Sequence, residues 1–148
     1  MIKVHVSEED FDTGAEIAAL ANYGGGAIAN FIGLVRGDGD VTGLELEHYP
    51  AMTDKALHAI ADTAADRWPL HGITIIHRVG KLVLGDQIVL VCTASDHRQA
   101  ALGACSYIMD RLKTDAPFWK KEWRDDGSSD WVEERQIDLD AAEKWQNS

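Results

Sequence analysis

The stretch LKTDAPFWKKEW (112–123) sets Lys113, Lys120 and Lys121 among Phe118, Trp119, Trp123 and Pro117. A solvated charge run has no need of aromatic rings. Lysines held against an apolar wall lose hydration, and clustered cations there lower a lysine pKa, making it usable as a general acid, a general base or an electrostatic clamp. The competing reading is a solvated turn whose Trp119 plugs the core, because ion pairs that only hold structure use the same residue types.

A second cationic group stands in SDHRQAA (95–101). Ser95 or Asp96 can cap a helix there, which puts His97 and Arg98 at its start. Free backbone N–H groups and the positive end of the helix dipole suit a phosphate or carboxylate at such a place. The alternative is that Arg98 pairs with a surface acid. From His97 to Arg124 the chain carries six of its fourteen Lys and Arg residues, against only Asp110, Asp115 and Glu122 as acids. This is a basic island in a protein of formal charge −11.

The elements that must position these groups alternate between strand and helix. IKVHV (2–6) has period-two apolar residues and predicts a strand, with SEED as a turn. TGAEIAALAN (13–22) predicts a helix stopped by Gly24, Gly25 and Gly26. AIANFIGLV (27–35) and LELEHY (44–49) predict strands joined as a hairpin by RGDGDVTG, with Arg36 at the rim. Residues Thr53 to Trp68 place Ala56, Leu57, Ile60, Ala61, Ala64 and Trp68 at helical spacing. ITIIHRVG (73–80) and DQIVLVCTA (86–94) predict two central strands separated by a short segment with Gly85. Ala101, Ala104, Ile108 and Leu112 predict a long helix ended by Pro117. DDGSSD predicts a turn, WVEERQI (131–137) a strand and DLDAAEKW a terminal helical turn.

Composition narrows the function classes. A chain of 148 residues with 45% hydrophobic content suits one domain that buries a core without disulfides or metal. Its negative charge argues against nucleic acid, and no apolar run approaches the roughly 20 residues of a membrane span. Cys92 and Cys105 lack metal-ligand or CxxC spacing, and MIKVHVSEED has no signal-peptide core, so a reduced, cytoplasmic setting is expected. Three motifs fail on inspection. GGGAIANFIG lacks the GK[ST] of a phosphate loop, the DGD after Arg36 lacks the other ligands of a calcium loop, and both cysteines sit in apolar stripes where a thiol is a small hydrophobe.

Four separated motifs occur in order: LELEHYPAMT (44–53), RWPLHGITIIHRVG (67–80), SDHRQAAL (95–102) and LKTDAPFWKKE (112–122). Together they resemble the large, catalytic subunit of molybdopterin synthase over about residues 27–135. The resemblance implies an α+β fold of the α/β hammerhead type with an additional small β-rich subdomain. It also implies a single domain over 1–148, with a flexible C-terminal tail over about 137–148. The implied activity is a sulfurtransferase that converts cyclic pyranopterin monophosphate into molybdopterin in molybdenum cofactor biosynthesis, with no metal or cofactor of its own. The sulfur arrives as a thiocarboxylate on the C-terminal Gly-Gly of a small ubiquitin-like sulfur-carrier subunit. Two copies of the large subunit form the homodimer core of a heterotetramer.

Matched position by position, Lys113 and Lys120 correspond to the family's catalytic lysines. Leu34, Val35, Arg36, His97, Arg98, Lys121 and Glu122 join them as substrate-binding residues. The chain departs from the family pattern in its short RGDGDVTG loop and at Lys121, where an arginine is natural. Arg98 and Lys113, fifteen residues apart on one helix, are separated by roughly 22 Å at 1.5 Å per residue. A site shared between two chains across a two-fold axis brings such residues together. A different enzyme acting on a phosphorylated small molecule, or a noncatalytic docking module for a ubiquitin-like protein, are the rival classes.

Overall fold

The computed structural model describes residues 1–132 and 136–147. In chain order the elements are β1 (Ile2–Ser7), α1 (Thr13–Ala21), β2 (Ala27–Leu34), β3 (Val41–His48), α2 (Pro50–Arg67), β4 (Leu70–Arg78), β5 (Gly80–Val83), β6 (Gln87–Ser95), α3 (Arg98–Asp115), β7 (Phe118–Arg124), β8 (Ser129–Val132) and α4 (Gln136–Glu143). A 3-10 turn over Lys144–Asn147 follows. The strands form two four-stranded sheets, ordered β1-β4-β6-β2 and β5-β3-β7-β8. Among the described residues only the β1–β4 pair is parallel. The mixed α+β class and the separate small β-rich part both match the sequence-based expectation.

The central strands β4 and β6 read as continuous apolar runs because both of their faces are covered. Ile73 and Ile75 of β4, with Val89 and Val91 of β6, pack against α2 (Leu57, Ile60, Ala61, Ala64) and α3 (Ala101, Cys105, Ile108, Leu112). The alternate residues Ile76, Leu90, Cys92 and Ala94 pack against Leu20 and Ile17 of α1 on the opposite face. A third cluster, Val35, Leu44, Leu46, Val79 and Leu82, closes the junction with the second sheet. Cys92 and Cys105 are free and buried, and desolvation pushes their thiols up to about 12 and about 11, out of the nucleophilic range.

Several local expectations change. β2 and β3 do not form a hairpin: β2 pairs with β6 and β3 with β5 and β7, so the loop after Arg36 crosses from one sheet to the other. The reason is length and burial, since β2 completes the apolar sheet while Leu44 and Leu46 are needed in the second core. Helix α2 begins earlier than the apolar spacing implies, with Pro50 opening its first turn. Neither Ser95 nor Asp96 caps α3. The cap position is His97, without a side-chain cap bond, because Ser95 Oγ donates to the Pro69 carbonyl (2.7 Å) and Asp96 binds His71 (2.7 Å). β5 is a further strand in the segment around Gly80–Val83. Of WVEERQI, Trp131 and Val132 end β8, residues 133–135 lie outside the described residues, and Gln136 already belongs to α4. The terminal helical turn expected in DLDAAEKW falls within α4 and the 3-10 turn, where Trp145 packs on Trp68 and Tyr107.

Candidate active site

The stretch around LKTDAPFWKKEW is neither a turn nor a plug. It is the end of α3 and the whole of β7, and Pro117 separates them because it cannot extend the helix. Along β7 the period of two sorts the side chains. Phe118 and Lys120 face one way, into a cleft of about 600 Å³ between the two sheets and α3. Trp119, Lys121 and Trp123 face the other way. Trp119 is 45% exposed and meets Tyr49 edge-on, Lys121 lies over the Trp131 ring and 3.9 Å from Glu47, and Trp123 donates to Glu45 beneath Lys81.

The cleft has an apolar wall and a cationic mouth. Leu34 from the end of β2, Leu46 from β3, Met109 and Leu112 from α3 and Phe118 from β7 form the wall. Among the described residues of its lining, Arg36, Lys113 and Lys120 are the cations and Asp138 of α4 is the one carboxylate. The described lining therefore reverses the charge of an acidic chain. Such a surface takes a flat, partly apolar ring along the wall and an anion at the cations, which hold charge that develops during acyl chemistry.

His77 is the lining residue that sequence reasoning passed over. It shares the parity of Ile73 and Ile75 on β4, so it emerges on the α3 side, where β4 leaves the first sheet. Its ring stacks on Phe118 at 4.0 Å and 19°, and its Nδ1 lies 2.7 Å from the Arg78 carbonyl oxygen. Burial pushes the imidazole down to about 4, helped by the positive charges of Lys113 and Lys120 and against the Arg78 hydrogen bond. It is a neutral ring at ordinary pH. The signal was present in HRVG, a histidine ending an otherwise apolar buried strand.

His97 and Arg98 stand elsewhere. With Gly26, Ala27, Asp96 and Gln99 they line a second, more open hollow of about 440 Å³ at the start of α3. Asp96 carries a carboxyl held below its usual range by the hydrogen bond from His71. Within one chain the structure thus brings together Leu34, Arg36, Lys113 and Lys120, and separates them from His97 and Arg98 by the length of α3. Val35 is buried in the junction core. Lys121 faces away, and Glu122, opposite Leu44 and Asp130, lies beyond the cleft toward the β7–β8 hairpin. Among the described residues, no three His, Cys, Asp or Glu side chains are placed to hold a metal, and no helix is long and apolar enough to cross a membrane.

Comparison with known proteins places this geometry. The family model described as "MoaE protein" matches residues 6–115. A molybdopterin synthase catalytic subunit from Mesorhizobium japonicum is 50% identical over 149 residues, covering 98% of this chain and 94% of that one. Among solved structures, a molybdopterin biosynthesis MoaE protein from Burkholderia ambifaria superposes with a TM-score of 0.85 at 48% identity, covering 99% of both chains. Molybdopterin synthase from Staphylococcus aureus does so with a TM-score of 0.79 at 35% identity, covering 86% of this chain and 95% of that one.

Proposed function

We propose, from the premise that this chain belongs to the MoaE family of molybdopterin synthase catalytic subunits, that the cleft between the two sheets is where sulfur transfer takes place. The enzyme works in molybdenum cofactor biosynthesis, and its substrate is cyclic pyranopterin monophosphate. The observation that carries this reading is the convergence of Arg36, Lys113 and Lys120 on an apolar-walled cleft in a chain of net charge −11.

The pterin ring lies along the Leu34, Met109 and Phe118 wall. The sulfur donor is the C-terminal Gly-Gly thiocarboxylate of a small ubiquitin-like subunit, whose extended tail enters the cleft with its terminal charge toward the lysines. As the acyl–sulfur bond breaks, Lys113 and Lys120 stabilise the negative charge that develops on the departing and attacking atoms. Thiols are not needed as sulfur carriers, in keeping with two cysteines that are buried and hard to ionise.

The substrate phosphate requires a further cation set, and His97 with Arg98 suits it. Those residues come from a second copy of the chain in a homodimer, which forms the centre of a heterotetramer in the cytoplasm. A two-fold axis that lays the start of one α3 beside the end of the other supplies each cleft with both sets.

The deciding experiment combines the purified chain, cyclic pyranopterin monophosphate and the thiocarboxylated small subunit, and detects molybdopterin as its fluorescent oxidation product. Product is expected with the intact partner and none with a partner lacking its two terminal glycines. No product from a verified thiocarboxylate sinks the reading. Binding of the small subunit without turnover would instead identify a docking module.

A further inference from the structure

We propose that the outer edge of β2 over Phe31–Leu34 takes the extended tail of the small subunit as an added strand, so that the cleft reads the glycine pair by main-chain hydrogen bonds. The proposal rests on the reading of the cleft as the place where that tail delivers its sulfur.

The first observation is the edge itself. Among the described residues β2 stands last in its sheet and pairs with β6 alone, so on its other side every second residue presents an N–H and a C=O that no strand meets. Four strands end the two described sheets, β1 and β2 in one, β5 and β8 in the other. Three of them carry a charge, Lys3 in β1, Lys81 in β5 and Asp130 in β8, which discourages another chain from pairing there. β2, with the sequence AIANFIGL, has no charged residue and no proline. Its bulge falls at the last step, between Gly33 and Leu34, and leaves Ala27–Gly33 in unbroken register. The edge is regular and unguarded over most of its length.

The second observation places this edge in the cleft. Successive residues of a strand face opposite sides, so a cavity meeting only one face of β2 would touch alternate residues. The cleft is lined by Phe31, Ile32, Gly33 and Leu34 in succession. Ile32 packs with the cluster on the α1 side, whereas Phe31 and Gly33 lie opposite Val91 and Val89, which face α3. The cleft meets all of them by running along the edge. Gly33 has no side chain, so its share of the lining is main chain. Asn30 and Phe31, on opposite faces, are both exposed and leave the edge open to an incoming chain.

The occupant follows from chemistry. Two terminal glycines offer no side chain to recognise, so a site that selects them must hold their backbone, and strand addition does this. The same lining supplies Arg36, Lys113 and Lys120, which complement the negative terminal group of such a tail. Phe31 and Leu34, 44% and 55% exposed, flank Gly33 and lose apolar surface to water no longer once a strand lies beside them. A second copy pairing its own β2 would fill the edge but bring no terminal anion to the three cations.

The test leaves the chain unaltered. Small subunits are made by semisynthesis with one N-methyl group on each tail residue in turn, which removes one N–H, and their binding to the full chain is measured by calorimetry. Methylation is expected to weaken binding by about tenfold at every second residue and by less than about twofold at those between, because an added strand turns alternate N–H groups toward its neighbour. Hydrogen exchange of the ¹⁵N-labelled chain should slow on binding at alternate amides of Phe31–Leu34, those turned away from β6. A methylation profile without alternation, or β2 amides whose exchange the small subunit leaves unchanged, overturns the proposal. Protection of those amides that grows with chain concentration before any small subunit is added gives the edge to a second copy and also overturns it. Thiocarboxylated small subunit assayed in parallel keeps the two readings apart. Sulfur transfer without alternation counts against the added strand alone, and alternation without transfer counts against the proposed function alone.

Discussion

Lys120 and Lys121 are neighbours in the chain and point to opposite faces of β7, Lys120 into the cationic cleft and Lys121 toward Glu47, 3.9 Å away, and the Trp131 ring. Neighbours in sequence therefore do not share one face of the strand. Lys113→Ala and Lys120→Ala are each expected to lower sulfur transfer by about a hundredfold or more, the scale of losing one charge-stabilising group. Lys121→Ala should retain most of it. All three should melt within a few degrees of the wild type, since such side chains contribute little to folding. Steady-state kinetics beside calorimetry checks the split, and a Lys121→Ala loss equal to that of Lys120→Ala would contradict the assignment of faces.

The distance along α3 between Arg98 and Lys113 gives a second outcome. An Arg98→Ala chain co-refolded with a Lys113→Ala chain should regain activity that neither has alone. With shared sites, each mixed dimer holds one doubly damaged and one intact site, so random pairing restores roughly a quarter of wild-type activity per chain. Mixed dimers, verified by mass, that stay inactive would place the whole site within one chain.

The glycine cluster before β2 separates two causes of strain. Gly24 and Gly25 both have positive φ (88° and 99°), but a Cβ on Gly24 meets nothing within 4 Å while one on Gly25 falls 2.5 Å from the Ser95 carbonyl oxygen. Gly24→Ala should cost about 1 kcal/mol, the penalty of a left-handed backbone alone. Gly25→Ala should cost about 3 kcal/mol or more, because the Ser95 backbone must move, and that carbonyl also accepts the Gly26 N–H at 3.0 Å. Urea unfolding of the two variants measures the difference, and equal costs would mean that the close approach is relieved without strain.

His77 links stability to pH. Its folded imidazole protonates only near 4, against 6.5 for the ordinary group, chiefly because it is buried. Between those values the unfolded chain binds the proton and the folded chain does not, so stability falls as pH drops from 6.5 and the cost is complete below about 4. The full effect is on the order of 3 kcal/mol. His77→Phe lacks it, so the stability of that variant relative to wild type should rise steadily as urea melts are repeated from about pH 7 down to about pH 4.5. A difference that does not vary with pH would mean that the ring is hydrated or protonated in the fold.

Much of the molecule was determined by local sequence. Apolar spacing at three and four located the long helices, alternation located β1, and the unbroken runs of β4 and β6 marked strands covered on both faces, since these patterns report burial along a single element. The charge reversal from His97 to Arg124 marked a basic segment by composition, one that holds Lys113 and Lys120 of the cleft together with Arg98 and Lys121, which lie outside it. What the tertiary structure decided was partnership. β2 and β3 join different sheets although a short loop connects them, because each strand's apolar residues are claimed by a different core. The face on which Lys120 and Lys121 project depends on the register of β7 against β3, which no residue type in the stretch announces. His77 belongs to the site only because Phe118, forty-one residues later, stacks on it and α3 lays Lys113 across the same cleft. Contacts between residues so far apart in sequence are set by how the elements pack, and a local pattern carries no record of them.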